Sequence, residues 1–196
     1  MKRMLYEGGI RAAMGVRWPG HVPAGKESDF VWDMRDVFPT LCDLAGLPKP
    51  SHLAGKSFVP LLDDPKRKWK KYAVSQFPNP ALREWAANPL SSGMRQTFFG
   101  PLIDEVETKI IKQQGDSWDR DLFENHLMGY SLRTDLYRLV AWLDYRDIEA
   151  EPLYVELYDQ ANDPEETANV AKKFPKKTEE LLVRLRTSGI GKGVSK

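Results

Sequence analysis

The chain has 196 residues, 41% of them hydrophobic, enough for one ordinary domain or for a small domain with a piece of another. A formal charge of +1 and a pI near 7.8 exclude the charge surplus that nucleic acid or an anionic membrane surface would demand of a partner. One cysteine excludes an intrachain disulfide, and no apolar run reaches the ~18 residues that a membrane span requires.

Met1 is followed at once by Lys2 and a dense motif. The expectation is a chain with no signal peptide, truncated at its start. Lys2 stands four residues before Tyr6-Glu7-Gly8-Gly9, a cation beside backbone able to bend sharply. Such an arrangement can hold an anion, and its bland counterpart is a solvated lysine beside a Gly-Gly turn. Residues 12–18, short, apolar and stopped by Pro19-Gly20, predict a buried strand at the end of a sheet, followed by a loop over 21–28. Residues 36–46 predict a helix with Asp36 as its cap, Pro39 in its first turn and Gly46 at its exit. Val37, Leu41 and Leu44 share one face, with Phe38 and Cys42 beside them, so Cys42 reads as a small core residue rather than a reactive thiol.

Residues 52–62 predict a turn and a short apolar segment. Gly55-Lys56-Ser57 lacks the upstream glycine of a phosphate-binding loop, since position 50 is proline. The basic run from Lys66 to Lys71 reads as a solvated connection. Residues 72–77 predict a strand, ended by Pro78 and Pro80. Residues 81–128 read as irregular or inserted, with helical stretches over 81–87 and 102–113. Residues 129–134 and 136–143 predict one long strand or two adjoining strands around Asp135. Leu153, Val155 and Leu157 alternate with Tyr154, Glu156 and Tyr158 as a strand with one buried face should. Asn162-Asp163-Pro164 predicts a turn whose side-chain oxygens bond the backbone. Pro175 opens a last helix with Thr178, Leu181, Leu182 and Leu185 toward the core and Gly189 at its end, leaving 190–196 as a flexible tail.

Metal-ligand spacing is not evident. Asp63-Asp64 before Pro65 reads as a polar turn, and His21, His52 and His126 are dispersed among turn residues. Asp159, Asp163, Glu165 and Glu166 are explained by turn formation and by negative charge near a helix start.

Lys2 with Tyr6-Glu7-Gly8-Gly9-Ile10-Arg11, then Arg17-Trp18-Pro19-Gly20-His21-Val22-Pro23-Ala24-Gly25-Lys26, resembles the segment that closes the active site of type I sulfatases, in the alkaline-phosphatase superfamily. The stretch from Gly55 to Leu62 is similar to one that follows the same helix in that family. Ser75-Gln76-Phe77-Pro78-Asn79-Pro80 and Met128 to Arg138 resemble the C-terminal subdomain of iduronate-2-sulfatase-like enzymes. Glu156 to Asp159 and Asn162 to Ala171 resemble the usual sulfatase ending. The likeness covers most of the chain apart from roughly 84–120 and the tail.

The resemblance implies an α/β to α+β fold: the end of a sulfatase α/β domain over 1–70, then a C-terminal subdomain over 71–189 with an antiparallel sheet and a packed terminal helix. It implies hydrolysis of a sulfate monoester, such as one on a sulfated sugar, with Lys2 contacting the sulfate and Tyr6, Glu7, Gly8, Gly9 and Arg11 shaping the supporting turn. The family uses calcium and a formylglycine made from Cys or Ser in Cys/Ser-x-Pro-x-Arg. No such motif occurs here, and neither Asp-Asn-Gly before the lysine nor the early Asp pair is present, so no cofactor or metal site is expected in this chain. The expected partners are a sulfated small molecule or glycan and the missing N-terminal half, with no nucleic acid and no membrane. Family members are often periplasmic, secreted or lysosomal. A non-catalytic remnant that binds a partner chain or a sulfated glycan is the alternative function, and a phosphoesterase of the same superfamily is a third.

Overall fold

The computed structural model describes residues 5–78, 105, 108–113, 115–117, 119 and 121–190. The predicted helix over 81–87 and the residues 191–196 lie outside these, whereas 108–113 are helical as expected. Among the described residues no helix is long and apolar enough to cross a membrane.

Four strands form the centre: β1 (Ala73–Pro78), β2 (Leu127–Arg133), β3 (Tyr137–Asp144) and β4 (Tyr154–Asp159). Their spatial order is β1-β2-β3-β4, every pair antiparallel. The apolar stretch from 129 to 143 is two strands, because Thr134 closes a hairpin. Its amide donates to the Tyr137 carbonyl at 2.8 Å, and its hydroxyl accepts from the Tyr137 amide at 3.0 Å.

Side chains alternate across a strand, so the register sorts the sheet into two unlike faces. Leu132, Leu139 and Leu157 lie side by side on one face, flanked by Tyr130, Ala141 and Leu143. This face is covered by α4 (Pro175–Thr187) through Leu181, Leu182 and Leu185, as the leucine spacing predicts. Gly189 takes φ +88°, which suits glycine, and turns Ile190 back into the same core. Ile190 is therefore core rather than tail.

The opposite face carries Ser75, Ser131, Arg133, Arg138, Glu156 and Tyr158. Alternation in β4 predicts Glu156 and Tyr158 as the outer, solvated positions. Instead both are buried, while Leu153 is half exposed just outside the strand. The polar face is roofed by the N-terminal segment, so both faces of the sheet are buried by different chemistry.

The N-terminal part holds a single turn, α1 (Glu7–Ile10), then α2 (Val37–Leu44) and α3 (Val59–Asp63). Residues 12–18 do not form the predicted strand. They are exposed, and from 12 to 17 they make no backbone hydrogen bond among the described residues, where no neighbouring strand is available to them.

The start of α2 is built from two aspartates. The Asp33 side chain accepts from the Arg35 amide, and Asp36 Oδ2 accepts from the Asp33 amide at 2.9 Å. Asp36 is buried, paired with Lys70, and its Oδ1 accepts from the Lys56 amide at 2.9 Å. Asp36 holds the N-cap position of α2, but its side chain makes no cap bond to that helix; it serves the preceding turn in a reciprocal pair with Asp33 and ties down 56 and 70. Burial works to raise the Asp33 carboxyl, but hydrogen bonds from Arg35 and Lys70 outweigh it and hold that group below its usual range.

The face α2 buries also differs from the expected one. Pro39, Thr40 and Cys42 are inside, while Phe38 and Leu41 are exposed. Thr40 decides this: its hydroxyl donates to the Asp36 carbonyl at 2.6 Å and accepts from the Phe58 amide at 2.9 Å, bringing the 55–58 segment onto that side. Gly55 permits the approach, since a Cβ there would sit 1.8 Å from the Arg35 carbonyl oxygen. Gly55→Ala must therefore move backbone. We expect it to lower the unfolding free energy by about 3 kcal/mol in urea titration, against the small change of an open surface site.

Candidate functional site

The site grows from Leu5-Tyr6-Glu7 laid on the polar face of the sheet. Leu5 is buried against Gly129 of β2, where a Cβ would stand 2.4 Å from Leu5 Cδ1 and 2.8 Å from the Trp142 ring. Glycine at 129 makes the groove that seats it.

Tyr6 donates its phenolic hydrogen to Glu156 Oε2 at 2.8 Å, and Tyr158 donates to Oε1 of the same carboxylate at 2.9 Å. The two rings meet edge to face, centroids 6.0 Å apart. Burial, reinforced by the bond and charge of Glu156, raises both phenols well above their ordinary pKa.

Glu7 is tied more heavily. Arg138 Nη2 and, at 3.4 Å, Arg133 Nε donate to its Oε2. Its backbone amide donates to Glu166 Oε2 at 2.6 Å. Arg138 also donates from Nε to Glu166 Oε1 and from Nη1 to Ser131 Oγ at 3.1 Å. Arg138, Glu7 and Glu166 thus join β3, the N-terminal turn and the loop after β4. Arg133 keeps Nη1 buried without a partner among the described residues. Its guanidinium pKa is pulled down by burial and the Arg138 charge, against the opposing effect of Glu7.

The expected supporting residues therefore divide. Tyr6 and Glu7 are anchors. Arg11 pairs with Glu7 Oε1 at 3.4 Å, but its side chain is 78% exposed and contributes little. Gly8 and Gly9 lie in the right-handed turn of α1, and neither takes positive φ. A Cβ at Gly8 would meet nothing within 4 Å, so the turn there does not need glycine for space. Lys2 lies outside the described residues.

Sequence reasoning misses four partners of the motif, Arg133, Arg138, Glu156 and Glu166. Glu166 in particular reads from sequence as a turn and helix-start charge. One of the four carries a signal: Arg138 interrupts an otherwise apolar strand pattern, whereas Glu156 falls in step with the alternation of β4. Beside this network a cavity of about 1010 Å³ opens, lined among others by Glu7, Trp18, Ser75, Arg133 and Arg138. Among the described residues no three His, Cys, Asp or Glu side chains are disposed to hold a metal ion. His21 stacks on Trp18 and His126 pairs with Asp121, so the histidines do not converge.

A family model for the C-terminal part of N-sulphoglucosamine sulphohydrolase matches residues 1–83. Human arylsulfatase K is 26% identical over 189 residues, covering 95% of this chain and 27% of that protein. The Xenopus laevis protein of the same name is 23% identical over 186 residues, with the same coverage. The family-model match and the arylsulfatase K relatives support a type I sulfatase C-terminal part. The chain spans about a quarter of the length of these relatives (27%). Human steryl-sulfatase is 30% identical over 105 residues, 52% of this chain and 18% of that protein. The solved structure of BT4656, with its substrate D-glucosamine-2-N,6-O-disulfate, superposes with a TM-score of 0.54 at 22% identity, covering 89% of this chain and 27% of that one. The four-stranded antiparallel sheet with helices matches the C-terminal subdomain of such neighbours.

The electrostatics of the network are open to two measurements. The folded chain keeps Tyr6 and Tyr158 protonated where a free phenol of pKa 10.0 ionises. Their contribution is complete below about pH 10 and is lost as pH rises toward the folded values. The thermal midpoint should fall above about pH 10, and less steeply in a Tyr6→Phe/Tyr158→Phe variant; an unchanged slope would refute the assignment. Arg138→Met strips the counter-charge from Glu7 and Glu166 and should cost about 3–5 kcal/mol in denaturant unfolding.

Proposed function

We propose that this chain forms one wall of a sulfuric ester hydrolase acting on a sulfate monoester of a sulfated sugar, with Lys2 contacting the sulfate. What supports this reading is the seat of the Tyr6-Glu7 turn: both side chains and the Glu7 amide are held by buried partners on the sheet and the loop after β4. Lys2 stands four residues before this turn in the sequence. A motif held this firmly suits a positioned cation better than a solvated chain end. The iduronate-2-sulfatase-like order of the C-terminal motifs favours a sugar as the carrier of the sulfate.

Sulfate-ester hydrolysis needs a nucleophile, charge stabilisation on the sulfuryl oxygens and an acid for the leaving alcohol. Of these the chain supplies the cation. At neutral pH a lysine of ordinary pKa is protonated and offers three donors to the oxygens on which negative charge develops. The nucleophile comes from outside, in the N-terminal α/β part. The exposed apolar side chains on and around α2, Met34, Phe38, Leu41 and Leu47, are consistent with a partner polypeptide covering that side.

The test is to combine the 196-residue chain with the α/β part of a sulfatase relative and to follow a chromogenic aryl sulfate. Turnover is expected only with both parts present, and Lys2→Ala should reduce kcat/KM by about 10²-fold. No turnover from a folded pair, or full activity in Lys2→Ala, would overturn the reading. The same exposed apolar side of α2 favours a second reading, a non-catalytic remnant that binds a partner chain or sulfated glycan. Glycan binding by a folded pair without hydrolysis would select it.

A further inference from the structure

We propose that Glu166, acting with Arg138, is the positioning residue that fixes the Tyr6-Glu7 turn on the sheet. Its effect on catalysis rests on the sulfatase reading above; the clamp itself rests on contacts among described residues.

Glu166 has φ +55° and is the one described non-glycine residue in the left-handed region. A glutamate gains nothing from that backbone conformation by itself, so surrounding contacts must hold it there. They are specific. Its side chain is 2% exposed, and Oε2 accepts the Glu7 amide at 2.6 Å. Oε1 accepts Arg138 Nε and Gln160 Nε2, each at 2.5 Å. One carboxylate therefore reads the backbone of the motif with one oxygen and a strand side chain with the other.

Arg138 completes the loop. It is itself 2% exposed and grips the Glu7 side chain while Glu166 grips the Glu7 backbone. Two points on a single residue are thus fixed against β3 from groups 131 and 159 positions away in sequence. A one-point contact would let the turn pivot, whereas two points fix both its place and its angle. The charges also close: Arg133 and Arg138 face Glu7 and Glu166, and the loss of Glu166 leaves two cations against one anion.

Amide hydrogen exchange on the whole chain tests the clamp without any need for turnover. In Glu166→Gln the amides of Glu7 to Ile10 should exchange about tenfold faster, with those of β2, β3 and α4 unchanged. An Arg138→Met/Glu166→Gln variant removes both charges together, and should show the same local acceleration if the single variant folds poorly. Unchanged exchange at 7–10 in both variants, or parallel acceleration of the core amides, would overturn the proposal.

The pairing with a sulfatase α/β part supplies the second readout. With nitrophenyl sulfate, Glu166→Gln should lower kcat about 10²-fold while KM moves less than about twofold, as expected for a misplaced rather than a missing contact. Accelerated exchange with undiminished kcat would refute the positioning role. A wild-type pair without turnover would sink the sulfatase reading alone, and the exchange experiment would still decide the clamp.

Discussion

A buried arginine between two carboxylates from opposite ends of the chain is the constraint on which this structure turns. A guanidinium away from water needs compensating charge and full hydrogen bonding. Glu7 and Glu166 provide both, Ser131 takes a further donor, and the result obliges β3, the first turn and the loop after β4 to meet. Each alone would leave an uncompensated charge, so the three assemble together. This is how a segment at position 7 becomes part of a subdomain whose strands begin near 73.

That meeting gives the sheet two faces held by different forces. Leucines on one side are buried by α4 through apolar area, a non-directional attraction that tolerates substitution. On the other side burial is by matched donors and acceptors, which are directional and specify register. Gly129 belongs to the second face, because its missing side chain lets Leu5 lie flat beside the charged network. The apolar face makes the subdomain compact; the polar face decides what is attached to it.

A separate lock organises residues 33–70. Asp33 and Asp36 cap one another's turn and share Lys70, while Thr40 and Gly55 bring the following segment onto α2. This arrangement turns Phe38 and Leu41 outward. Residues 12–18, for their part, have no strand partner among the described residues. Exposed apolar positions and an unpaired strand-like segment occur in a chain covering 27% of the length of its arylsulfatase K relatives. Both features lie within residues 12–41, whereas the sheet is covered by α4 on one face and by Leu5 to Glu7 on the other.

Local pattern determined a good deal by itself. The alternation and aromatic content of β1 to β4, the leucine spacing of α4, Pro175 at its start and the helix around Pro39 were legible because they depend on periods of two and 3.6 residues within one segment. The dense motif at Tyr6-Glu7-Gly8-Gly9 was legible as a family resemblance. The partners of that motif were not. Arg138 and Glu166 lie 131 and 159 residues from Glu7, and no local period encodes a contact between such distant positions. The same holds for residues 12–18, whose composition suits a strand but whose pairing depends on a neighbour, and for α2, where Thr40 and Gly55 rather than the leucine stripe chose the buried side. Sequence set what each segment could become; tertiary structure decided which faces were buried and which charges met, because burial and ion pairing depend on what lies across the gap.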